Sequence, residues 1–139
     1  SGYRKIRDIL EATKGKLIKG KENAEIKEFC KDTRIIKKGD TYIGIKGENF
    51  DGNTLWQKAF EAGAETVIVE GIDFSKENLE QYQNKNIIEV KDTIQALADI
   101  ATYKRMTCKK DFQVVGVTGS VGKTSIVRIT ATFQTYGKP

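Results

Sequence analysis

Apolar positions along this chain alternate between helical and strand spacing, and that alternation sets the order of its elements. Ile6, Ile9 and Leu10 fall at i, i+3 and i+4, which predicts a short amphipathic helix over residues 3–13, stopped by Gly15. Short strands are predicted over residues 16–18 and 24–30, flanking the turn Lys19-Gly20-Lys21. Lys38-Gly39-Asp40 reads as a turn, and residues 41–46 as a strand carrying Tyr42, Ile43 and Ile45. Asn53 or Thr54 can cap the next helix, whose apolar positions are Leu55, Trp56, Ala59 and Phe60, with Gly63 placed to end it. Residues 66–69 form a buried-type strand. Ser75 is predicted to cap a polar helix reaching about Gln83, and residues 87–90 a further strand. Asp92 caps a longer helix with a broad stripe of Ile94, Leu97, Ala98, Ile100, Ala101 and Tyr103.

Strands alternating with helices from Trp56 to Val90 place the chain in the α/β class, with a small, mixed but mostly parallel sheet. A composition break at Lys109-Lys110-Asp111 predicts a boundary: one domain over residues 1–110, and residues 111–139 as a strand, a loop and a helix. A parallel strand is normally flanked by other strands and covered on both faces. The second piece therefore reads as the truncated start of a further domain. Residues 113–133, with Val114, Val115 and Val117 short of sheet neighbours, are expected to offer a route to self-association.

Composition narrows the chemistry. The chain has no histidine, so a Ser-His or Cys-His triad and a His-containing zinc site are excluded within it. Cys30 and Cys108 lack a CxxC partner, and Cys30 reads as an inert, semi-buried thiol. The net charge of +5 is uneven: residues 1–38 hold twelve Lys/Arg against six Asp/Glu. That basic third suits an anionic partner or a solvated surface. No aromatic-basic interleaving accompanies it, which argues against nucleic acid. No stretch approaches the length of a membrane span and no signal-peptide core opens the chain, so a cytoplasmic protein without membrane insertion is expected.

The densest chemistry follows Val114-Val115-Gly116-Val117. Thr118-Gly119-Ser120-Val121-Gly122-Lys123-Thr124-Ser125 is a glycine-rich turn between a predicted strand and a helix carrying Ile126, Val127, Ile129, Ala131 and Phe133. Such a turn aims backbone N–H groups and a helix N-terminus at phosphate. Lys123 would reach the β/γ-phosphates of ATP, and the Thr124 hydroxyl would sit on Mg²⁺. Val117 stands where the longer P-loop pattern has its first glycine, so this is the shorter G-x-x-G-K-T-S form. A second constellation is Asp32-Thr33-Arg34 with Lys46-Gly47-Glu48-Asn49-Phe50-Asp51-Gly52-Asn53, at the ends of two predicted strands. Ligands in α/β folds bind beyond the carboxyl ends of strands.

In order and spacing, Asp32-Thr33-Arg34, Lys38-Gly39-Asp40, the run from Lys46 to Gly52, Ala62-Gly63-Ala64 and the phosphate loop resemble the Mur ligases. Ser120-Val121 between the loop glycines is most similar to the branch that adds D-alanyl-D-alanine; the neighbouring diaminopimelate-adding branch usually carries Thr-Asn there. The resemblance covers nearly the whole chain. It implies a bacterial, ATP-dependent amide ligase of peptidoglycan synthesis, acting on a UDP-N-acetylmuramoyl peptide, ATP and D-alanyl-D-alanine. Residues 1–110 would hold the UDP sugar and residues 111–139 would open the ATP domain. By position, Thr33 and the Lys31 backbone would contact the uridine, and Arg34 would support that loop or the diphosphate. Glu48, Asn49 and Phe50 would line the uridine diphosphate site. Gly119, Ser120, Val121, Gly122, Lys123, Thr124 and Ser125 would bind the ATP phosphates, with Mg²⁺ reached through Thr124.

The chain departs from the family pattern at Asn53, where histidine is frequent, and at Ile126-Val127-Arg128-Ile129-Thr130. Its end at Pro139 falls short of the family's magnesium-binding glutamate and modified lysine. The expectation is a fragment that binds UDP substrate weakly and does not catalyse alone. Two other readings stay open: a small P-loop NTPase, which would hydrolyse ATP, and a basic interaction module, whose binding would fall steeply with salt and show no preference for uridine nucleotides.

Overall fold

A computed structural model describes residues 5–107. The predicted boundary at residues 109–111, the strand over residues 113–117, the phosphate loop and the helix after it lie outside the described residues.

Within them, five strands form one sheet in the order β1-β5-β4-β3-β2. The strands are β1 (Lys16–Lys19), β2 (Phe29–Cys30), β3 (Thr41–Ile43), β4 (Thr66–Val69) and β5 (Asn86–Glu89). β2, β3, β4 and β5 run parallel, and β1 pairs antiparallel with β5. The mixed, mostly parallel α/β class expected above is the class observed. Three α-helices cover the sheet: α1 (Ile6–Thr13), α2 (Trp56–Ala62) and α3 (Thr93–Thr107).

Alternating strand residues divide the core in two. Ile43, Ile68 and Ile88 face α1 and α3, meeting Ile6, Ile9, Leu97 and Ile100. Tyr42, Val67, Val69 and Ile87 face the other way, onto Trp56, Ala59 and Phe60 of α2. Both faces of β4 and β5 are therefore apolar, as buried parallel strands require. Each fully buried isoleucine or valine contributes about 1.5–3 kcal/mol relative to exposure.

The differences from the sequence-based elements have local causes. The strand expected over residues 24–30 shrinks to Phe29–Cys30, because the preceding carbonyls serve α1 instead. Ile6 N–H donates to Ala24 O and Arg7 N–H to Glu22 O, both at 2.9 Å, satisfying first-turn donors that a helix leaves open. Helix α1 ends on Lys14 at φ 60°, one residue before Gly15. β3 stops at Ile43 because Gly44 backs onto Asn53, where a Cβ would lie 2.4 Å from Asn53 Oδ1. Neither Asn53 nor Thr54 caps the helix that follows. Asp51 does, accepting from Asn53 N–H at 2.9 Å and opening a 3-10 turn (Gly52–Leu55) that leads into α2. Gly63 ends α2 at φ 121°, as expected.

The polar helix expected after Ser75 is replaced by two 3-10 turns, Phe74–Lys76 and Leu79–Gln81. Asp73 and Asn78 start them by accepting from the N–H two residues on, at 3.1 and 3.3 Å. Phe74 and Tyr82 meanwhile reach Trp56, with ring centroids at 5.2 and 5.4 Å. Asp92 caps α3 as predicted, accepting from Gln95 N–H at 3.0 Å. The buried stripe of α3 holds Ala96, Leu97, Ile100 and Ala101; Ile94 and Ala98 are half-buried.

Candidate functional site

Two loops leave the carboxyl ends of β2 and β3 side by side, and a cleft of about 780 Å³ opens between them. The first follows Cys30. Asp32 sits in extended backbone and its carboxylate accepts from Arg34 N–H at 2.9 Å, winding Thr33–Ile35 into a 3-10 turn. Arg34 then closes back on the same carboxylate, Nε to Oδ1 at 3.0 Å and Nη2 to Oδ2 at 2.8 Å. These hydrogen bonds, the guanidinium's first and the backbone's second, hold the Asp32 carboxyl down at about 2. Arg34 is 87% exposed even so. Cys30, expected to be semi-buried, is buried, and its Sγ donates to Asp32 O at 3.2 Å.

The second loop spans residues 44–53 and folds back on itself. Gly52 N–H donates to Ile45 O at 2.8 Å and Gly47 N–H to Phe50 O at 2.7 Å. Gly52 is required there, since a Cβ would meet Ile45 O at 2.9 Å and the Tyr42 hydroxyl at 3.1 Å. Tyr42 anchors the loop from below, its hydroxyl donating to Gly52 O at 2.6 Å. Burial, reinforced by the nearby Cys30, Asp32 and Asp51, pushes this phenol up to about 12, so it keeps its proton. Phe50 is held out at the loop tip with 58% of its surface exposed, an apolar ring beside a polar cleft.

Of the residues singled out from the sequence, Lys31, Thr33, Arg34, Asn49 and Phe50 line this cleft together. Glu48 lies on the same loop, exposed, and is not part of the lining. Asn53, where the sequence departs from the family pattern, is fully buried: its Nδ2 donates to Asp51 at 2.9 Å and its Oδ1 accepts from Glu70 N–H at 3.0 Å. Its observed bonds hold the loop to the end of β4. The proposed ATP and Mg²⁺ residues 119–125 lie outside the described residues.

Sequence reasoning missed Tyr42 and Lys58, which also line the cleft. Lys58 had a signal. It falls about 160° around the helix from buried Trp56 and Phe60, on the solvent side of α2. The lining brings Lys31, Arg34 and Lys58 against one carboxylate, Asp32, an excess of positive charge suited to an anion. Among the described residues no cluster of His, Cys, Asp or Glu could hold a metal ion, and no helix is long and apolar enough to cross a membrane.

Comparison with known proteins agrees with the arrangement of loops and sheet. The 2,6-diaminopimelate-adding UDP-N-acetylmuramoyl-L-alanyl-D-glutamate ligase of Phocaeicola vulgatus is 35% identical over 127 residues, covering 90% of this chain and 25% of that protein. The UDP-N-acetylmuramoyl-tripeptide–D-alanyl-D-alanine ligase of Bacillus subtilis (strain 168) is 37% identical over 123 residues, 88% of this chain and 25% of that protein. The chain thus spans about a quarter of the length of the curated relatives it matches. A crystal structure of MurF from Acinetobacter baumannii superposes with a TM-score of 0.59 at 25% identity, covering 76% of this chain and 22% of that one. The model of the Mur ligase family, catalytic domain, matches residues 25–105, from the segment before β2 into α3, and the chain belongs to the Mur ligase family.

Proposed function

We propose that this chain is the UDP-substrate-binding part of an ATP-dependent amide ligase of peptidoglycan synthesis, and that the cleft beyond β2 and β3 receives the uridine diphosphate. The observation that carries the reading is the convergence of Lys31, Thr33, Arg34, Asn49 and Phe50, from two loops, on one cleft with excess positive charge. The exposed Phe50 ring suits a flat base, and the cations suit phosphates. The sequence adds a phosphate loop: residues 119–125 would hold ATP, with Mg²⁺ on Thr124, and bound ATP would supply the phosphoryl group that activates a carboxylate. We assign D-alanyl-D-alanine as the incoming amine on the strength of Ser120-Val121 in that loop. A second reading, addition of diaminopimelate, is favoured by relatives of that name at 30–35% identity.

A polypeptide spanning about a quarter of its relatives' length is proposed to bind substrate weakly without completing the ligation. Calorimetric titration with UDP and with CDP tests the cleft, since the two differ only in the base. UDP should bind measurably at millimolar concentration and CDP more weakly. Equal or absent responses would refute the reading. Ligation assays on the full-length protein, offered either amine, decide between the two branches.

A further inference from the structure

From the basic first third of the chain the cleft takes only Lys31 and Arg34. Much of the remaining charge gathers at the other end of the sheet. Four parallel strands bring their amino ends to one edge, and β1, running the other way, adds its carboxyl end there, with Lys19 opposite Ile87 of β5. A second hollow of about 630 Å³ opens along this edge, where Lys19, Lys21, Lys27 and Lys85 face two carboxylates, Glu25 and Glu65. None of the four lysines makes an ion pair among the described residues.

The surrounding elements set these cations in a row. Lys21 N–H donates to buried Asn86 Oδ1 at 3.2 Å, fixing the turn after β1 against β5, and Asn86 Nδ2 donates to Thr66 Oγ1 of β4 at 3.1 Å. Lys85 Nζ donates to Ala64 O at 3.0 Å, just before β4. The Lys27 stem crosses Gly39, before β3, where a Cβ would meet its Cδ at 3.0 Å. The row therefore runs past β1, β5, β4 and β3, a span of about 14 Å at the usual strand spacing, or roughly four extended residues. Charge complementarity selects what fits it. A row of ammonium groups without acidic partners attracts a row of carboxylates. Glu25 and Glu65 oppose an unbroken phosphate backbone, and no aromatic ring lines the hollow to take a base. The surface is concave down to buried Asn86, a shape that a flat layer of lipid headgroups does not follow.

We propose that the amino edge of the sheet is a docking groove for an extended acidic segment of a partner protein. It is separate from the cleft beyond β2 and β3 and stands without the nucleotide reading.

The probe is a capped pentaglutamate peptide, titrated by NMR into the labelled 139-residue protein beside pentaglutamine, inorganic phosphate and phosphatidylglycerol vesicles. Pentaglutamate should shift amides at residues 19–27 and 83–86, leave residues 45–52 unmoved, and lose most of its affinity between low and moderate salt. Pentaglutamine should shift none of them. Lys19→Gln combined with Lys21→Gln should keep the wild-type spectrum elsewhere and weaken the peptide about three- to tenfold, the worth of two exposed ion pairs. Lys76→Gln combined with Lys91→Gln removes the same charge from exposed positions away from the hollow and should leave the affinity unchanged. Equal weakening by both pairs, or shifts without a focus at this edge, would overturn the proposal. So would phosphate saturating the same amides as tightly as the peptide, the mark of a small-anion pocket. Vesicles that bind where the peptide does not would replace the acidic partner with a membrane and overturn it as well.

Discussion

Tyr42 joins the sheet to the cleft through one hydroxyl. Its ring packs with Trp56 and Val67, and its O–H holds the Gly52 carbonyl at 2.6 Å. Tyr42→Phe would remove that hydrogen bond, and urea denaturation should show a loss of about 0.5–1.5 kcal/mol. Because burial raises this phenol from 10.0 to about 12, the unfolded chain releases its proton first. The stability contributed is complete below pH 10 and is lost as pH rises through about 12. The variant should therefore have a shallower alkaline limb, and an unchanged limb would contradict the assignment. Asp32 works in the opposite sense. Its pKa falls from 3.8 to about 2, so its stabilisation is complete above pH 3.8 and disappears toward pH 2. NMR titration of the Asp32 carboxyl should show the depressed value in the wild type and its return toward 3.8 in Arg34→Ala. Phe50 makes the complementary prediction. At 58% exposure it adds little to folding, so Phe50→Ala should keep the melting temperature while uridine affinity drops by about 1–3 kcal/mol, the worth of one base stacked on an aromatic ring.

The elements meet through a chain of hydrogen bonds that starts in the cleft loop. Asp51 accepts from Asn53, Asn53 accepts from Glu70 N–H at the end of β4, and the Glu70 carboxylate accepts from Thr93 N–H at 2.8 Å and its hydroxyl at 3.0 Å. The loop and the start of α3 are thereby tied to the same strand end. Asn53→Ala should cost about 1–3 kcal/mol by leaving Glu70 N–H without an acceptor. Glu70→Ala should speed amide exchange in the first turn of α3, with a loss near that of a helix cap, about 0.5–2 kcal/mol. A wild-type exchange rate there would show that Asp92 alone secures the helix start. These hydrogen bonds also explain why residue type alone does not place the cap before α2. Asp51, Asn53 and Thr54 are all acceptable caps by residue type, and only the tertiary bond to Glu70 N–H decides that Asn53 is occupied elsewhere. The helix expected after Ser75 gives way for a similar reason, since the Trp56 cluster draws Phe74 and Tyr82 into positions that one continuous helix does not supply. Elements carried by their own periodicity were legible. β4 is marked by its unbroken apolar run, and the caps at Gly63 and Asp92 by hydrogen bonds within their own turns.

On the scale of the whole molecule, α1 and α3 cover one face of a five-stranded sheet and α2 the other, and among the described residues the carboxyl ends of β2 and β3 stay open. The class of fold and the two cleft loops could be read from motif order, because glycines and Asx residues mark turns locally. The exposure of Lys58 follows from its helical position, but its place in the cleft does not, since that depends on how α2 lies against the Thr33–Ile35 turn. The central claim is that this cleft, and no other surface, receives a uridine nucleotide. It is tested most directly by mapping amide shift changes on adding UDP to the labelled protein. The account predicts changes concentrated at residues 31–35, 45–52 and 58, with smaller ones for CDP. Changes centred on the opposite end of the sheet, around Lys19, Lys21 and Lys85, or spread without a focus, would contradict it.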